Sequence, residues 1–170
     1  MTGDGAIRPA TRADAETIAA IYRPFVESTA TSFEMTPPSA TDMAARIAAT
    51  LGNGLPWIVA DYDGAIAGYA YAAVFRSRPA YVHTRETSVY VADGWRGRGV
   101  ASRLMTALID ELVELGVTQV IAGITMPNAP SVALHERLGF EPVGVFTGIG
   151  RKFDAWHDVG FWQMAVGPEA

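Results

Sequence analysis

The chain has 170 residues, of which 49% are hydrophobic, and this length suits a single domain over residues 1–170. A formal net charge of -5 argues against a protein that coats nucleic acid, because such binding needs many Lys and Arg side chains at the phosphates. No apolar run is long enough to span a bilayer, and without cysteine there is neither a disulfide nor a thiolate metal site. We therefore expect a cytoplasmic protein with no membrane segment and no nucleic-acid partner.

The first half of the chain predicts a strand, two helices and a hairpin. Pro37-Pro38 separates the two helices, each of which carries its apolar residues on one face. Asp63-Gly64 favours a tight hairpin because glycine accepts a positive φ, so the flanking strands should pair antiparallel. The expected elements are a strand at Ile7–Pro9, a helix ending near Ser28, a helix marked by Met43, Ile47 and Leu51 that ends near Gly52, and strands at Trp57–Tyr62 and Ile66–Phe75.

The second half of the chain predicts a strand, a helix and a strand in succession. Such a unit requires its two strands to lie parallel, and ligands bind at the carboxyl ends of strands arranged in this way. The expected elements are strands at Glu86–Val91 and Val117–Ile124, a helix with Leu104, Leu108, Leu112 and Leu115 on one face that ends at Gly116, a helix over Ser131–Leu138, a strand after Gly139-Phe140, a loop through Trp156 and a last strand at Val159–Val166.

The loop Arg96–Ala101, with the sequence Arg-Gly-Arg-Gly-Val-Ala, joins the first of these strands to the helix. Free backbone N–H groups and the helix dipole favour an anion at this point. Arg96, Arg98 and Arg103 add positive charge, and a guanidinium matches phosphate oxygens with two donors. The loop therefore predicts a phosphate site, with a flexible turn and solvated arginines as the alternative.

Two common phosphate-binding patterns do not fit this loop. A P-loop closes with Gly-Lys-Ser/Thr, whereas Gly99 is followed by Val100-Ala101. The dinucleotide pattern counted from Gly97 requires glycine or alanine where Ser102 stands. If the loop binds a phosphate, it does so as neither a P-loop nor a dinucleotide-binding turn.

The loop and several other segments together resemble the GNAT superfamily of N-acetyltransferases. Arg96, Gly99 and Ala101 meet its loop pattern Arg/Gln-x-x-Gly-x-Gly/Ala. Nearly the whole chain is similar to the phosphinothricin and methionine sulfoximine acetyltransferase branch of that superfamily. The segments that carry this similarity are Ile7-Arg8, Ser32–Glu34, Gly68–Ala72, Ser88–Val91, Leu134–Glu136 and Trp156–Gln163.

The resemblance implies an α/β (α+β) fold: a mixed, mostly antiparallel sheet of about seven strands, with helices on both faces and a splayed parallel pair formed by the fourth and fifth strands. It implies acetyl-CoA as co-substrate, with the pantetheine arm between those strands. It also implies direct acetyl transfer, in a ternary complex, to the α-amino group of a small amino-acid-like substrate such as phosphinothricin, methionine sulfoximine or methionine sulfone. The implied cofactor contacts are Val89, Tyr90, Val91, Arg96, Gly97, Arg98, Gly99, Val100, Ala101, Asn128 and Ser131.

Acetyl transfer to an amine needs a base that removes the amine proton. The resemblance implies this role for Glu86, whereas a mid-strand glutamate taken alone is usually solvent-facing or ion-paired. His135 is the second candidate, because imidazole titrates near neutral pH and this histidine stands where many GNAT enzymes have a tyrosine acid. It could protonate the departing thiolate, bind substrate, orient a water or simply be a hydrogen-bonded helix residue.

An amino-acid acceptor also carries a carboxylate that needs a positive partner. Arg76 and Arg78 follow the third strand, and Arg76 resembles the family's basic residue on the substrate side, although both could be solvated loop charges. Phe33 resembles a residue that lines the acceptor pocket and could equally pack in a core. The three histidines have no close metal-ligand spacing, so no metal is assigned. Homodimers are usual in the family, and a homodimer is expected here.

Two other functions remain open at this point. The chain could acetylate protein or peptide amines, for which an open acceptor groove would be expected. It could instead be a noncatalytic module that binds acyl-CoA and reports its level to a partner. The presence of Glu86 and His135 favours catalysis over binding alone.

Overall fold

The computed structural model of the protein describes residues 5–167, which form one seven-stranded mixed sheet with four α-helices. The strands are β1 (Ala6–Pro9), β2 (Trp57–Tyr62), β3 (Ala65–Val74), β4 (Thr84–Val91), β5 (Gln119–Met126), β6 (Glu141–Lys152) and β7 (Ala155–Ala165). The helices are α1 (Ala15–Ser28), α2 (Ala40–Gly52), α3 (Val100–Glu114) and α4 (Ala129–Arg137). No helix among the described residues is long and apolar enough to cross a membrane.

The strands lie in the order β1-β2-β3-β4-β5-β7-β6. Every neighbouring pair is antiparallel except β4 and β5, which are parallel and joined through α3. The predicted mixed, mostly antiparallel sheet with one parallel pair is therefore confirmed. The predicted hairpin is confirmed as well, since Asp63 and Gly64 both adopt positive φ between β2 and β3.

Helices cover both faces of the sheet, as predicted. We call the face that carries Trp57, Tyr69 and Glu86 the front face, and α1 and α2 pack on the part of it around Trp57 and Tyr69. We call the opposite face, with Ala70 and Val120, the back face; α3 and α4 pack there. Because α1 and α2 cover only part of the front face, the surface around Glu86 is left open for a ligand.

The apolar stripe of α3 is buried as expected, with one exception. Leu104, Leu108 and Leu112 are fully buried against the back face. Leu115 is 56% exposed because α3 ends at Glu114, and Gly116 follows with a positive φ that turns the chain away. The helical spacing predicted the buried face correctly and placed the end of the helix too late.

The prediction of a loop through Trp156 was wrong. β6 continues to Lys152, a tight turn at Phe153-Asp154 follows, and β7 begins at Ala155. Both turn residues adopt positive φ although neither is glycine, so the chain lacks the Asn-Gly or Asp-Gly pattern that identifies such hairpins in a sequence. Pairing of β6 with β7 imposes this turn.

Candidate active site

The parallel strands β4 and β5 separate halfway along their length. Their ladder pairs Thr84 with Gln119 and ends where Glu86 faces Ile121. β4 nevertheless continues to Val91 and stays paired with β3 throughout. Beyond Glu86 the edge of β4 that faces β5 therefore has no strand partner within residues 5–167, and the predicted splayed pair is confirmed.

The free edge of β4 presents the backbone of Val89 and Val91. The Ala92 N–H donates to Ala67 O on the β3 side at 2.9 Å. Because backbone groups of successive strand residues point in opposite directions, the N–H and C=O groups of Val89 and Val91 point into the gap. The side chain of Tyr90 lies on the front face, edge-on to Tyr22 and Phe25.

The loop between β4 and α3 is shaped by two glycines. Gly97 and Gly99 have φ of 73° and 77°, a region that side chains disfavour. The first intrahelical bond runs from the Arg103 N–H to Gly99 O at 3.1 Å. The N–H groups of Val100 and Ala101 therefore have no acceptor within α3 and face the loop. This is the arrangement that favours an anion at a helix start.

The loop arginines do not all point toward this helix start. Arg96 pairs with Asp93 at 2.8 Å and lies over the Phe25 ring, while Arg98 lies over Trp95. Arg96 is more than half exposed, and an exposed pair of this kind holds it only weakly. Arg103, which the sequence grouped with them, instead donates to Tyr62 OH at 2.7 Å and to the carbonyl of Gly5. Two loop arginines, and not three, remain next to the glycines.

Glu86 lies at the fork where β4 and β5 part. Its side chain is half-buried on the front face, and burial raises the pKa of its carboxyl group above the ordinary value. The positive charge of Arg76 opposes that shift. A Cβ atom placed on Gly123 would lie 3.4 Å from Glu86 Oε1 and 3.4 Å from the Phe161 ring, so the carboxylate and this ring are neighbours.

A cavity of about 460 Å³ opens beside this carboxylate on the front face. Arg76 lies at the cavity wall, whereas Arg78 begins the short 3₁₀ turn Pro79–Tyr81 and does not line it. Two edge-to-face aromatic pairs, Phe75 with Tyr81 and Phe146 with Phe161, form part of the wall. The cavity thus combines apolar walls with a single guanidinium among its lining residues.

Asn128 is the N-cap of α4, Ser131 lies in the first turn of this helix and His135 in the last. The Asn128 side chain caps the helix by accepting from the Ser131 N–H at 3.3 Å. His135 is 4% exposed, and its Nδ1 lies 2.8 Å from Ser131 O, so the proton must be on Nδ1 in this contact. Burial lowers the pKa of His135. The neutral imidazole with a free Nε2 is therefore the favoured form near neutral pH.

Phe33 lies in the segment between α1 and α2, on the front face. Its ring packs on Gly150 of β6 so closely that a Cβ atom there would lie 2.2 Å from ring carbons, and it is 6.1 Å from the His157 ring. Phe33 was predicted from the sequence as a site residue, whereas Gly123, Phe161 and Tyr81 were not. Alternation along β5 could have placed Gly123 on the face of Glu86, but the pairing of β5 with β7 was needed to find Phe161.

Among the described residues, no group of three or more His, Cys, Asp or Glu side chains could hold a metal ion. His83 donates from Nδ1 to Gly116 O, and His157 donates from Nε2 to Lys152 O. Both rings therefore serve local backbone contacts.

Known proteins of similar sequence and structure show which family this chain belongs to. Residues 7–160 match the family model described as Acetyltransferase (GNAT) domain. A phosphinothricin N-acetyltransferase of Streptomyces viridochromogenes is 38% identical and covers 92% of this chain and 85% of its own length. An L-methionine sulfoximine/L-methionine sulfone acetyltransferase of Pseudomonas paraeruginosa is 37% identical, with 95% of each chain covered.

Solved structures agree with these sequence matches. A GNAT superfamily phosphinothricin acetyltransferase of Sinorhizobium meliloti, in complex with acetyl-CoA, superposes with a TM-score of 0.92 at 40% identity, covering 97% of this chain and 90% of that one. A ribosomal-protein-alanine N-acetyltransferase of Brucella melitensis has a TM-score of 0.92 at 38% identity, covering 94% and 99%. With the split β4–β5 pair and the arginine–glycine loop, these matches establish that the chain belongs to the GNAT family of acetyltransferases.

Proposed function

We propose that this protein transfers the acetyl group of acetyl-CoA directly, in a ternary complex, to the α-amino group of a small amino-acid-like acceptor. The observation that carries the proposal is the position of Glu86: its carboxylate lies at the fork of β4 and β5, next to Phe161, which lines the apolar cavity. Relatives named for phosphinothricin and for methionine sulfoximine or sulfone support this class of acceptor. The proposed single domain extends over residues 1–170, and we propose the cytoplasm as its location.

The residues along the gap fit acetyl-CoA. The unpaired backbone of Val89 and Val91 can bond the amide groups of a pantetheine arm as a neighbouring strand would. Free N–H groups at the start of α3 and the guanidinium groups of Arg96 and Arg98 suit a pyrophosphate. The full set of proposed cofactor contacts is Val89, Tyr90, Val91, Arg96, Gly97, Arg98, Gly99, Val100, Ala101, Asn128 and Ser131.

Glu86 is proposed as the base. An amino group near pKa 7.7 to 8.0 is largely protonated at neutral pH and cannot attack a thioester until it loses a proton. The raised pKa of Glu86 makes its carboxylate a stronger base than an exposed glutamate. Its position at the fork, next to Phe161 of the cavity wall, allows it to take the proton from an amine, directly or through one water.

Arg76 is proposed to bind the carboxylate of the acceptor, and the cavity is proposed to hold the side chain of the acceptor. Arg76 is near enough to Glu86 for its positive charge to offset part of the rise in the pKa of the carboxyl group. An amino acid bound between the two side chains could therefore place its carboxylate at Arg76 and its amino group at Glu86. We also propose Phe33 and Arg78 as substrate contacts at the edge of this region. Arg78 does not line the cavity, and its contribution should be the smaller one.

His135 is proposed to accept a hydrogen bond rather than to supply a proton. Its lowered pKa favours the neutral ring, and Nδ1 is already committed to Ser131 O. Only Nε2 is left for a ligand or a water. A neutral ring in this tautomer can orient a thiol or a water, but it has no proton to give from Nε2.

Acetylation of peptide N-termini is the second candidate function. A relative of known structure is described as a ribosomal-protein-alanine N-acetyltransferase. The cavity also adjoins a second, more polar cavity of about 480 Å³; Gln119, Val143 and Gln163 line both. A chain longer than one amino acid could extend in that direction.

One assay separates these functions. Thiol release from acetyl-CoA is followed with free amino acids, sulfoximines, polyamines and peptides, and calorimetry measures acetyl-CoA binding in parallel. Turnover with free amino acids or sulfoximines supports the proposal, and turnover confined to peptides supports the second candidate. Binding of acetyl-CoA without turnover on any acceptor would indicate the noncatalytic module.

A homodimer is also proposed, and exposed apolar residues support it. β6 is the edge strand of the described sheet, and apolar edge strands tend to be covered by another chain. The exposed apolar side chains of β6 and its hairpin are Val143, Val145, Phe146, Ile149, Phe153 and Trp156. Light scattering of the wild type and of Ile149→Lys tests this, with a dimer expected for the first and a weakened dimer for the second.

A further inference from the structure

Lys152, at the end of β6, is the only lysine in the 170-residue sequence, and it is 2% exposed. Its Nζ donates to Val26 O at 2.7 Å and to Ser32 O at 2.6 Å. Burial lowers the pKa of the ammonium group, and the charge of Glu34 opposes that shift. A buried cation is unfavourable unless it is well hydrogen-bonded, so these two bonds hold its position firmly.

The two carbonyl groups that Lys152 binds lie on either side of a turn. Val26 is in the last turns of α1, and Ser32 lies in the segment that follows the helix. Ser32 is further fixed by a 2.6 Å bond between its hydroxyl and Tyr22 OH. The backbone before Phe33 is therefore tied to β6 and to α1 at once.

The backbone after Phe33 is fixed by a second set of contacts. Glu34 accepts two bonds from the Arg46 guanidinium, at 2.7 and 2.9 Å, and a third from Tyr22 OH at 2.9 Å. With both neighbours held, the Phe33 ring is pressed onto Gly150, two residues before Lys152 on the same strand. Two residues of β6 thus fix this segment: Lys152 holds its backbone, and Gly150 accommodates the Phe33 ring.

This segment borders the open part of the front face. Gly150 pairs with His157 of β7, and further along the same side of β7 lies Phe161, next to the Glu86 carboxylate. Phe33, which is 39% exposed, therefore stands at the edge of the acceptor region, and a shift of the segment would move its ring there.

We propose that Lys152 is a positioning residue for the acceptor: by binding the carbonyl groups of Val26 and Ser32, it holds Phe33 at the edge of the acceptor site. This inference rests on the proposed function, since it assumes an acceptor bound beside Glu86. The ammonium group is compact whereas a guanidinium is larger and planar, and a compact donor between two carbonyl groups agrees with lysine at this one position in a chain that otherwise uses arginine.

The test compares Lys152→Met, which keeps an unbranched side chain of similar length and removes its donors, with Arg151→Met at the neighbouring exposed position. Lys152→Met should raise the KM for the acceptor about tenfold, because the Phe33 ring is misplaced, with the KM for acetyl-CoA and kcat within about twofold of wild type. Hydrogen exchange of residues 29–35 should accelerate in this variant. Arg151→Met should match wild type in all of these measurements.

A double-mutant cycle with Phe33→Ala shows whether the lysine acts through the ring. In the Phe33→Ala background, Lys152→Met should change the acceptor KM less than about twofold. Equal effects in both backgrounds would overturn the inference, as would an unchanged acceptor KM in folded Lys152→Met.

If Lys152→Met fails to fold, Gly150→Ala serves instead, because its added Cβ displaces the ring while Lys152 stays in place. It should raise the acceptor KM in the wild-type background and leave it unchanged with Phe33→Ala; no rise in either background would contradict the inference. Wild-type protein that acetylates no acceptor would overturn the proposed function and this inference together, whereas an active wild type with unaffected variants would overturn the inference alone.

Discussion

The carboxylate of Glu86 on β4 lies over Gly123 of β5, at the level where the two parallel strands have already parted. A Cβ atom on Gly123 would lie 3.4 Å from Glu86 Oε1, in van der Waals contact with the carboxylate. Glu86 is half-buried here, and its carboxylate lies next to the Phe161 ring. The same burial raises the pKa of the carboxyl group, which links the shape of the fork to its proposed role as a base.

Glu86→Gln should lower kcat about 10²- to 10⁴-fold, because it removes the group that takes the amine proton. The affinity for acetyl-CoA, measured by calorimetry, should stay the same. In wild type, kcat/KM should fall as the pH drops through the raised pKa of Glu86, since only the carboxylate is a base. Glu114→Gln, at an exposed site, is the control. Wild-type turnover in the Glu86→Gln variant would remove this residue from the mechanism.

Arg76→Ala should raise the KM for amino acids about tenfold or more, since a hydrogen bond to a charged group contributes about 1.5–3 kcal/mol. Amino-acid amides, which lack the carboxylate, should be affected much less. Loss of the guanidinium should also raise the pKa of Glu86 and move the acidic limb of the pH profile to higher pH. Arg78→Ala should raise this KM less than Arg76→Ala, because Arg78 does not line the cavity, and exposed Arg12→Ala is the control. Equal losses for acids and amides would argue against a carboxylate contact.

Arg96→Ala should weaken acetyl-CoA binding about tenfold at low salt, because a phosphate loses a charged partner. The difference between variant and wild type should shrink as salt rises and screens this exposed charge. Calorimetric titrations at two salt concentrations measure both effects. Arg12→Ala removes an exposed guanidinium elsewhere and should bind like wild type. Identical affinities for all three proteins would mean that Arg96 is only solvated.

Asp14→Asn should destabilise the fold at neutral pH and have little effect near pH 2. The Arg8 guanidinium, bonded at 2.8 and 2.9 Å, holds the pKa of Asp14 at about 2 instead of 3.8. A lowered carboxyl pKa stabilises the fold above the unfolded pKa, and this contribution is lost between about pH 4 and pH 2. We expect Asp14→Asn to lower the free energy of unfolding at neutral pH by about 1–2 kcal/mol, after allowance for the solvent around Arg8. Urea unfolding at both pH values measures it, with exposed Asp110→Asn as control.

Leu108→Ala should lower the free energy of unfolding by about 2–5 kcal/mol, because it leaves a cavity between α3 and the back face. Leu115→Ala removes the same atoms from a 56% exposed side chain, and this variant should change the free energy of unfolding by about 0.5 kcal/mol or less. Denaturant unfolding compares the two. Similar losses would contradict the assignment of Leu115 to the surface.

Residues that lie together along the chain allowed most of the elements to be predicted. The leucine spacing of α3, the Asp63-Gly64 hairpin and the loop Arg96–Ala101 each express a local rule of periodicity or turn conformation. The hairpin at Phe153-Asp154 follows no such rule and was missed, because the pairing of β6 with β7 imposes it. The difference between Arg76 at the cavity and Arg78 outside it likewise depends on how the chain turns after β3.

The order of strands and helices, the parallel pair around α3 and the proposed anion site at its first turn could be predicted from the sequence, since each depends on patterns among residues that are near one another along the chain. Only the tertiary structure decided that Glu86 lies over Gly123 beside Phe161, and that Lys152 reaches Val26 and Ser32. Those contacts join segments that are far apart along the chain. Their geometry follows from strand register and packing, which no local pattern encodes.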